Sequence, residues 1–187
     1  MEAILDATLQ VLTKVGKEQL TTTRVASRAG VSVGTLYQYF PNKVSLLQAC
    51  LRRHMDQVVA AMRDACNEQK GSEPIAMVDG LVEAYLAAKM HHIPSSAALY
   101  SISSDVDGME IAKAAYATVR SDVTAMFATA PHLKKSPESV ASIVLAAMNG
   151  VARRLLEAEQ PEAELPNLRD ELELMLHSYL KACCIAG

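Results

Sequence analysis

The stretch TTTRVASRAGVSVGTLYQYFPNK, residues 21–43, decides how the rest of the chain is read. It holds two short helical patterns joined by a tight turn. The first runs from about Thr22 to Ala29, with Thr21 as a fitting N-cap, because its hydroxyl can accept a hydrogen bond from an orphan N–H of the first turn. Gly30 follows as the C-cap, where a positive φ costs glycine little. Ser32 caps a second helix, Val33 to Tyr39, and Pro41 stops it by disfavouring helical geometry at Phe40. Two helices around a short glycine-containing turn make a helix-turn-helix. Val25, Ala26 and Ala29 share one apolar face of the first helix, and Leu36 and Phe40 share one on the second. Gly34, Thr35 and Gln38 then point outward, with Tyr37 and Tyr39 on the flanks. A merely solvated face recruits Glu and Lys. This one is polar but uncharged, has no bulk at Gly34 and offers two phenol hydroxyls, which suits groove edges and phosphates. By spacing alone, a plain helical hairpin with exposed tyrosines has the same pattern.

At these residues a family resemblance becomes specific. The run Thr21 … Val25-Ala26 … Ala29-Gly30-Val31-Ser32 … Gly34 … Leu36-Tyr37 … Tyr39-Phe40 … Lys43 … Leu46 resembles the DNA-binding signature of the tetracycline-repressor (TetR) family of bacterial transcription regulators. It covers roughly the first quarter of the chain; the remainder matches that family in length and helical character alone. The resemblance implies a recognition helix that reads a major groove through Val33, Gly34, Thr35 and Gln38, with Val33 able to touch a thymine methyl. It implies that Thr21, Thr22, Ser32, Tyr37, Tyr39 and Lys43 mainly grip phosphates, with Thr23 and Arg24 facing the same side. The family often carries a short basic arm before its first helix, whereas this sequence begins almost at the helix itself.

Composition agrees with an all-helical protein. The chain has 187 residues, half of them hydrophobic, and glycine and proline total 15, a share below the average usage of roughly 12 per cent. Charge is unevenly placed. Residues 1–53 carry seven Lys/Arg against three acids, net +4, while the rest carry eleven against eighteen, net −7. A positive head on a negative body favours docking of the head on a polyanion. The four cysteines, 50, 66, 183 and 184, follow no secretory signal, and reduced thiols in a cytoplasm are expected. The adjacent Cys183 and Cys184 have the form of a redox or soft-metal pair. No continuous apolar run reaches the roughly 18 residues of a membrane span.

Along the chain, residues 2–15 form an amphipathic first helix ended by Gly16. Asn42 caps a fourth helix that continues to about Gln69, closed by Gly71. At 1.5 Å per residue it is on the order of 40 Å long, too long for the head alone. A fifth helix runs from Pro74 to about His91, a short one covers 95–104, and a longer one spans Asp105 to Ala130. Another starts at Ser136 and continues to Glu159. The run EAEQPEAELP is read as an acidic loop, and the last helix begins at Leu165 or Asn167. The expectation is an all-α fold of about nine helices. A three-helix head at 1–45 carries the helix-turn-helix, and a ligand-binding and dimerisation body occupies 46–187.

In the resembled family the middle helices carry the ligand pocket and the last two form the homodimer. Here Met62, Tyr85, Tyr100, Met109, Tyr116 and Arg120 are the candidate pocket residues: adaptable thioethers, phenols with a polar tip, and a cation able to meet a carboxylate. Ala146 and Gly150 permit close helix approach, and Leu168, Leu172, Met175 and Tyr179 make a stripe on the last helix. These faces suit a four-helix bundle between two copies. The function implied is a dimeric, cytoplasmic repressor of a palindromic operator, released by a small, largely apolar effector. The alternatives are an effector-independent DNA-binding regulator or a helical protein-interaction module. No His-x-x-x-His or Glu-x-x-His spacing, no Gly-x-Ser-x-Gly elbow and no phosphate-binding glycine loop is present, so neither catalysis, a metal nor a cofactor is expected.

Overall fold

A computed structural model describes residues 1–184. Nine α-helices follow one another among the described residues: α1 (Glu2–Gln19), α2 (Thr22–Ala29), α3 (Val33–Tyr39), α4 (Lys43–Glu68), α5 (Pro74–Met90), α6 (Ile93–Ile102), α7 (Gly108–Phe127), α8 (Pro137–Leu156) and α9 (Pro161–Cys183), with a 3-10 turn at Ser103–Asp105. The fold class is the expected one.

Punctuation follows local chemistry. Thr21 Oγ1 accepts from the Arg24 amide at 3.2 Å, Ser32 Oγ from Thr35 at 2.9 Å and Asn42 Oδ1 from Ser45 at 2.8 Å. Each cap satisfies a donor that has no partner inside its helix. Gly30 takes the left-handed conformation, φ 69°, and returns its N–H to the last turn of α2. Gly16 breaks the helical path at φ 73°, but the chain resumes helical turns to Gln19, so α1 is kinked there and not ended.

Several boundaries differ from the sequence reading. Helix α7 starts later because Asp107 turns the chain with φ 53°, and it stops earlier where Thr129 and Ala130 make tighter bonds to Met126 and Phe127. Helix α8 ends at Leu156 where Glu159 was expected. The largest correction concerns EAEQPEAELP, whose second half is helix. Pro161 occupies the first turn of α9, where its missing N–H costs nothing. Glu162 and Glu164 favour the positive end of the helix dipole, and Glu164 pairs with Arg154 at 2.8 Å. Pro166 lies inside the helix but on its exposed side, where water can reach the carbonyl it leaves unbonded.

The chain divides into two compact units. One comprises Met1–Asp56 and His92–Ala114, the other Gln57–His91 and the residues from Ala115 onward. The first unit therefore takes in more than the head read at 1–45. It gains half of α4, all of α6 and the start of α7. Its core joins Ile4, Leu5, Leu12, Leu20, Val25, Leu36, Phe40, Leu46 and Leu47 with Leu99, Ile102, Val106 and Ile111. Lys17 reaches Asp105 at 2.9 Å and Gln48 donates to the Val106 carbonyl at 3.2 Å, which fastens the α6–α7 turn to this core.

In the second unit α5 packs on both α8 and α9, which also pack on each other. Met77, Val78, Leu81, Val82, Val144, Met148, Leu155, Leu172, Leu176 and Leu180 are fully enclosed. Helix α8 is long and apolar enough to cross a membrane by length and composition alone. Its Val140, Ala141, Val144, Leu145, Met148, Ala152 and Leu155 are buried within the unit, so one face of the helix is core.

Candidate functional site

The α2–α3 pair presents its predicted contact residues together. Val25, Ala26 and Leu36 anchor the two helices to the core of the first unit at 1% exposure or less. That anchoring fixes the opposite side. Thr21, Thr23, Arg24, Ser32, Gly34, Tyr37, Gln38 and Tyr39 are exposed, while Thr22, Val33, Thr35 and Lys43 are half-buried. Tyr37 and Tyr39 stay 47% and 54% exposed, an unusual placement for two aromatics within one turn of the core Leu36. The Tyr37 hydroxyl lies 3.2 Å from Thr22 Oγ1, so the start of α2 and the middle of α3 are joined at the surface. Thr21 and Ser32 spend acceptor capacity on their caps, and the Ser32 hydroxyl also lies 2.9 Å from Thr35 Oγ1. Lys43 Nζ donates to the Lys17 carbonyl at 2.9 Å, which pins the ammonium beside the start of α4 with two donors left over. The surface thus carries hydroxyls, phenols, an amide and two cations, with no carboxylate among its contact residues.

Beside it, Ser27 and Arg28, which the sequence reading left out, join Thr23 and Arg24. Thr23, Arg24, Ser27 and Arg28 line a recess of about 550 Å³ on α2. Arg24 and Arg28 also line an adjoining one of about 410 Å³ with Gln10, Val11, Lys14, Val15 and Gln19 of α1. Arg28 Nε donates to Gln10 Oε1 at 2.6 Å, and Arg24 Nη1 donates to the Gln19 carbonyl at 3.0 Å. The i, i+4 pairs Gln10/Lys14 and Arg24/Arg28 were a readable signal, since both sit on the solvent sides of amphipathic helices.

The body residues are more scattered. Of the six pocket candidates, Met62 and Tyr85 are buried in the second unit, and Tyr85 donates to Asn149 Oδ1 at 2.6 Å. Burial raises the Tyr85 hydroxyl well above its usual range, so it stays a neutral donor. Tyr100 and Met109 belong to the first unit, 37% and 68% exposed; Tyr116 and Arg120 are exposed in the second. A cavity of about 630 Å³ between α5 and α9 is lined by other residues, among them Leu86, Met90, His91, Leu165, Arg169 and Glu173. Burial also pushes the Lys89 ammonium of α5 down to about 8.

Among the dimer candidates, Ala146, Gly150 and Met175 are exposed, Leu168 and Tyr179 are half-buried, and Leu172 is a core residue. Leu172 pairs by helical spacing with Leu176 and Leu180, so the stripe read from the sequence spans two faces of α9. The outward apolar side chains are Ile143 on α8 and Leu174 and Met175 on α9, at 51%, 61% and 51% exposure.

Cys50 and Cys66 sit in apolar surroundings that keep the thiols protonated. Burial pushes Cys50 up to about 12 and Cys66 up to about 11, and Cys183 is enclosed while Cys184 is partly open. Among the described residues no three His, Cys, Asp or Glu side chains gather as a metal site.

The chain matches two family models. Residues 4–50 match the bacterial regulatory proteins of the tetR family, and residues 73–180 match the tetracyclin repressor-like C-terminal domain. Among curated proteins it is 51% identical over 57 residues to the HTH-type transcriptional repressor KstR of Mycolicibacterium smegmatis, covering 30% of this chain and 28% of that one. It is 33% identical over 76 residues to the fatty acid metabolism regulator protein of Bacillus subtilis, covering 40% and 39%. The matched stretches thus span well under half the length of either relative. A solved transcriptional regulator from Rhodococcus sp. Rha1 shares the fold across 100% of this chain and 98% of its own, with TM-score 0.77 and 21% identity. The C-terminal model alone takes in more than half of the chain, and with the helix-turn-helix match ahead of it the sequence belongs to the tetracycline-repressor (TetR) family.

Proposed function

We propose that this chain is a dimeric DNA-binding transcriptional regulator, a repressor released from its operator by a small, largely apolar effector. One observation carries the DNA reading: the capped α2–α3 pair holds Gly34, Gln38, Tyr37 and Tyr39 outward on a surface without carboxylates. In this reading residues 1–45 read DNA and 46–187 bind the effector and the second copy, in the cytoplasm. Val33, Gly34, Thr35 and Gln38 meet base edges; Thr21, Thr22, Thr23, Arg24, Ser32, Tyr37, Tyr39 and Lys43 hold phosphates.

A single seven-residue helix reads few base pairs, so two heads on a palindrome are needed. Their spacing is about one turn of DNA, roughly 34–36 Å, or a multiple of it. The outward Ile143, Ala146, Gly150, Leu174 and Met175 support the α8–α9 faces as the place where the copies meet. An apolar effector accords with the buried Met62 and Tyr85, and with the likeness to a protein named for fatty acid metabolism. Release follows from linkage: an effector that prefers one head spacing weakens DNA binding by that same differential affinity. Helix α4 is suited to carry the coupling, because its first half belongs to one compact unit and its second half to the other.

Tyr39→Ala and Lys43→Ala each remove a charge-assisted phosphate contact, of about 1.5–3 kcal/mol. Each should weaken binding to a duplex enriched from a randomised pool by roughly 10- to 100-fold, with the dimer intact in sedimentation. Unchanged affinity at low salt would sink those contact assignments.

A further inference from the structure

Two classes of basic residue coexist in the first unit. Arg53 is held by Glu2 and Asp6 at 2.9 and 2.8 Å, and Lys17 by Asp105 at 2.9 Å. Those charges are neutralised where they sit. Arg24 and Arg28 are held by amides and a carbonyl of Gln19 and Gln10, which orient a guanidinium without cancelling its charge. Among the described residues no carboxylate lies within ion-pair distance of Lys14, Arg24 or Arg28. Arg24 and Arg28 border two adjoining recesses, and Lys14 borders the second of them. Pre-oriented, uncompensated guanidiniums in a recess suit a phosphate, which they grip by paired N–H donors.

The first recess begins at Thr23, a member of the proposed reading surface. It runs along α2 from Thr23 to Arg28, about 7.5 Å at 1.5 Å per residue. That is about two base-pair rises at about 3.4 Å each. We propose that the adjoining recesses bordered by Lys14, Arg24 and Arg28 grip the phosphodiester backbone about two base pairs outside the stretch read by α3. This rests on the DNA-binding reading above. Gln10 and Gln19 act as positioning residues, and the flank contacts add affinity without sequence preference. They also enlarge the duplex footprint beyond what α3 alone requires.

The probe is the duplex enriched by the wild-type protein from a randomised pool, made in two lengths. One carries about ten flanking base pairs, a helical turn, at each end; the other is trimmed to the selected site. Binding is measured across a salt series. The wild type should lose affinity more steeply with salt on the long duplex than on the trimmed one. The double variant Lys14→Gln/Arg28→Gln should lower the long-duplex slope of log K against log salt by about 2 per head, at roughly 0.9 per phosphate. It should leave the trimmed-duplex slope unchanged.

Gln10→Glu keeps every cation but gives Arg28 a carboxylate partner, and should reproduce part of the loss without removing a side chain. Circular dichroism melts establish that both variants are folded. If the wild type binds both lengths with one slope, or if the variants lower both slopes equally, the flank contact is wrong while the DNA-binding reading stands. If the wild type enriches no duplex at all, the underlying reading fails first.

Discussion

Gly108 is buried where α7 leaves the preceding 3-10 turn, and a Cβ built there would lie 2.5 Å from the Ser103 carbonyl oxygen and 2.9 Å from Leu51 Cδ2. The first neighbour is backbone and cannot swing away. Gly108→Ala should therefore cost about 1–3 kcal/mol, the range for overpacking a tight site, read as a lower urea midpoint with unchanged slope. A destabilisation below the error of the measurement would mean that the turn yields. Lys89 makes a second residue-scale test, through pH. Its folded pKa is depressed to about 8 by burial, against an ordinary value of 10.5. Between those values the unfolded chain binds more protons, so stability rises with pH there and falls as pH drops through 8. The rise amounts to at most about 3 kcal/mol at 1.36 kcal/mol per pKa unit. Lys89→Met should flatten that part of the stability–pH curve, measured by chemical unfolding from pH 7 to 10.5; a curve as steep as the wild type's would place the ammonium in water. Neither residue stood out in the sequence. Caps such as Thr21 and Ser32 did, because a cap depends on its own side chain and the three residues after it. Gly108 and Lys89 depend on neighbours brought in from elsewhere in the chain.

At the scale of elements the same distinction holds. The α2–α3 pair was legible to the residue at both ends, since hydroxyl caps, a left-handed glycine and a proline stop act locally. The face it turns to solvent followed from 3.6-residue periodicity once the core side was known. Helix α9 was misread at its start because the two prolines and four acids of EAEQPEAELP have the composition of a loop. What decides the matter is position: proline costs nothing in a first turn, and acids there are favoured by the dipole. Leu172 was misassigned for a related reason. On a helix apolar on more than one side, the i, i+4 stripe is ambiguous, and only packing against α5 and α8 shows which side faces the core. Lys14 and Arg28 were missed beside Arg24 because the cations come from two helices. Each i, i+4 pair is ordinary alone, and the uncompensated charge emerges only where α1 and α2 meet.

On the whole-molecule scale the question is what covers the apolar face left on α8 and α9. Ile143 and Met175 are each about half exposed, and a chain that kept them in water would gain little from them. A second copy meeting the first about a twofold axis buries each of them twice, so one substitution alters two sites. Met175→Arg should then weaken the dimer by at least about 100-fold, since two unpaired charges enter an apolar interface. Sedimentation of micromolar protein should show monomer, with helical content unchanged. Binding to the palindromic duplex should fall further than binding to a half-site, because the second head no longer adds its effective concentration. Gly150 supplies the control that separates dimer from fold. Nothing lies within 4 Å of a Cβ placed there, so within one chain Gly150→Ala has room. The isolated fold should become slightly more stable, by up to about 1 kcal/mol of helix propensity. If helices of two copies approach closely over Gly150, the same methyl must weaken the dimer while the monomer gains. A variant that leaves the dimer untouched places the twofold contact elsewhere on α8, and a monomeric wild type removes the two-headed reading altogether.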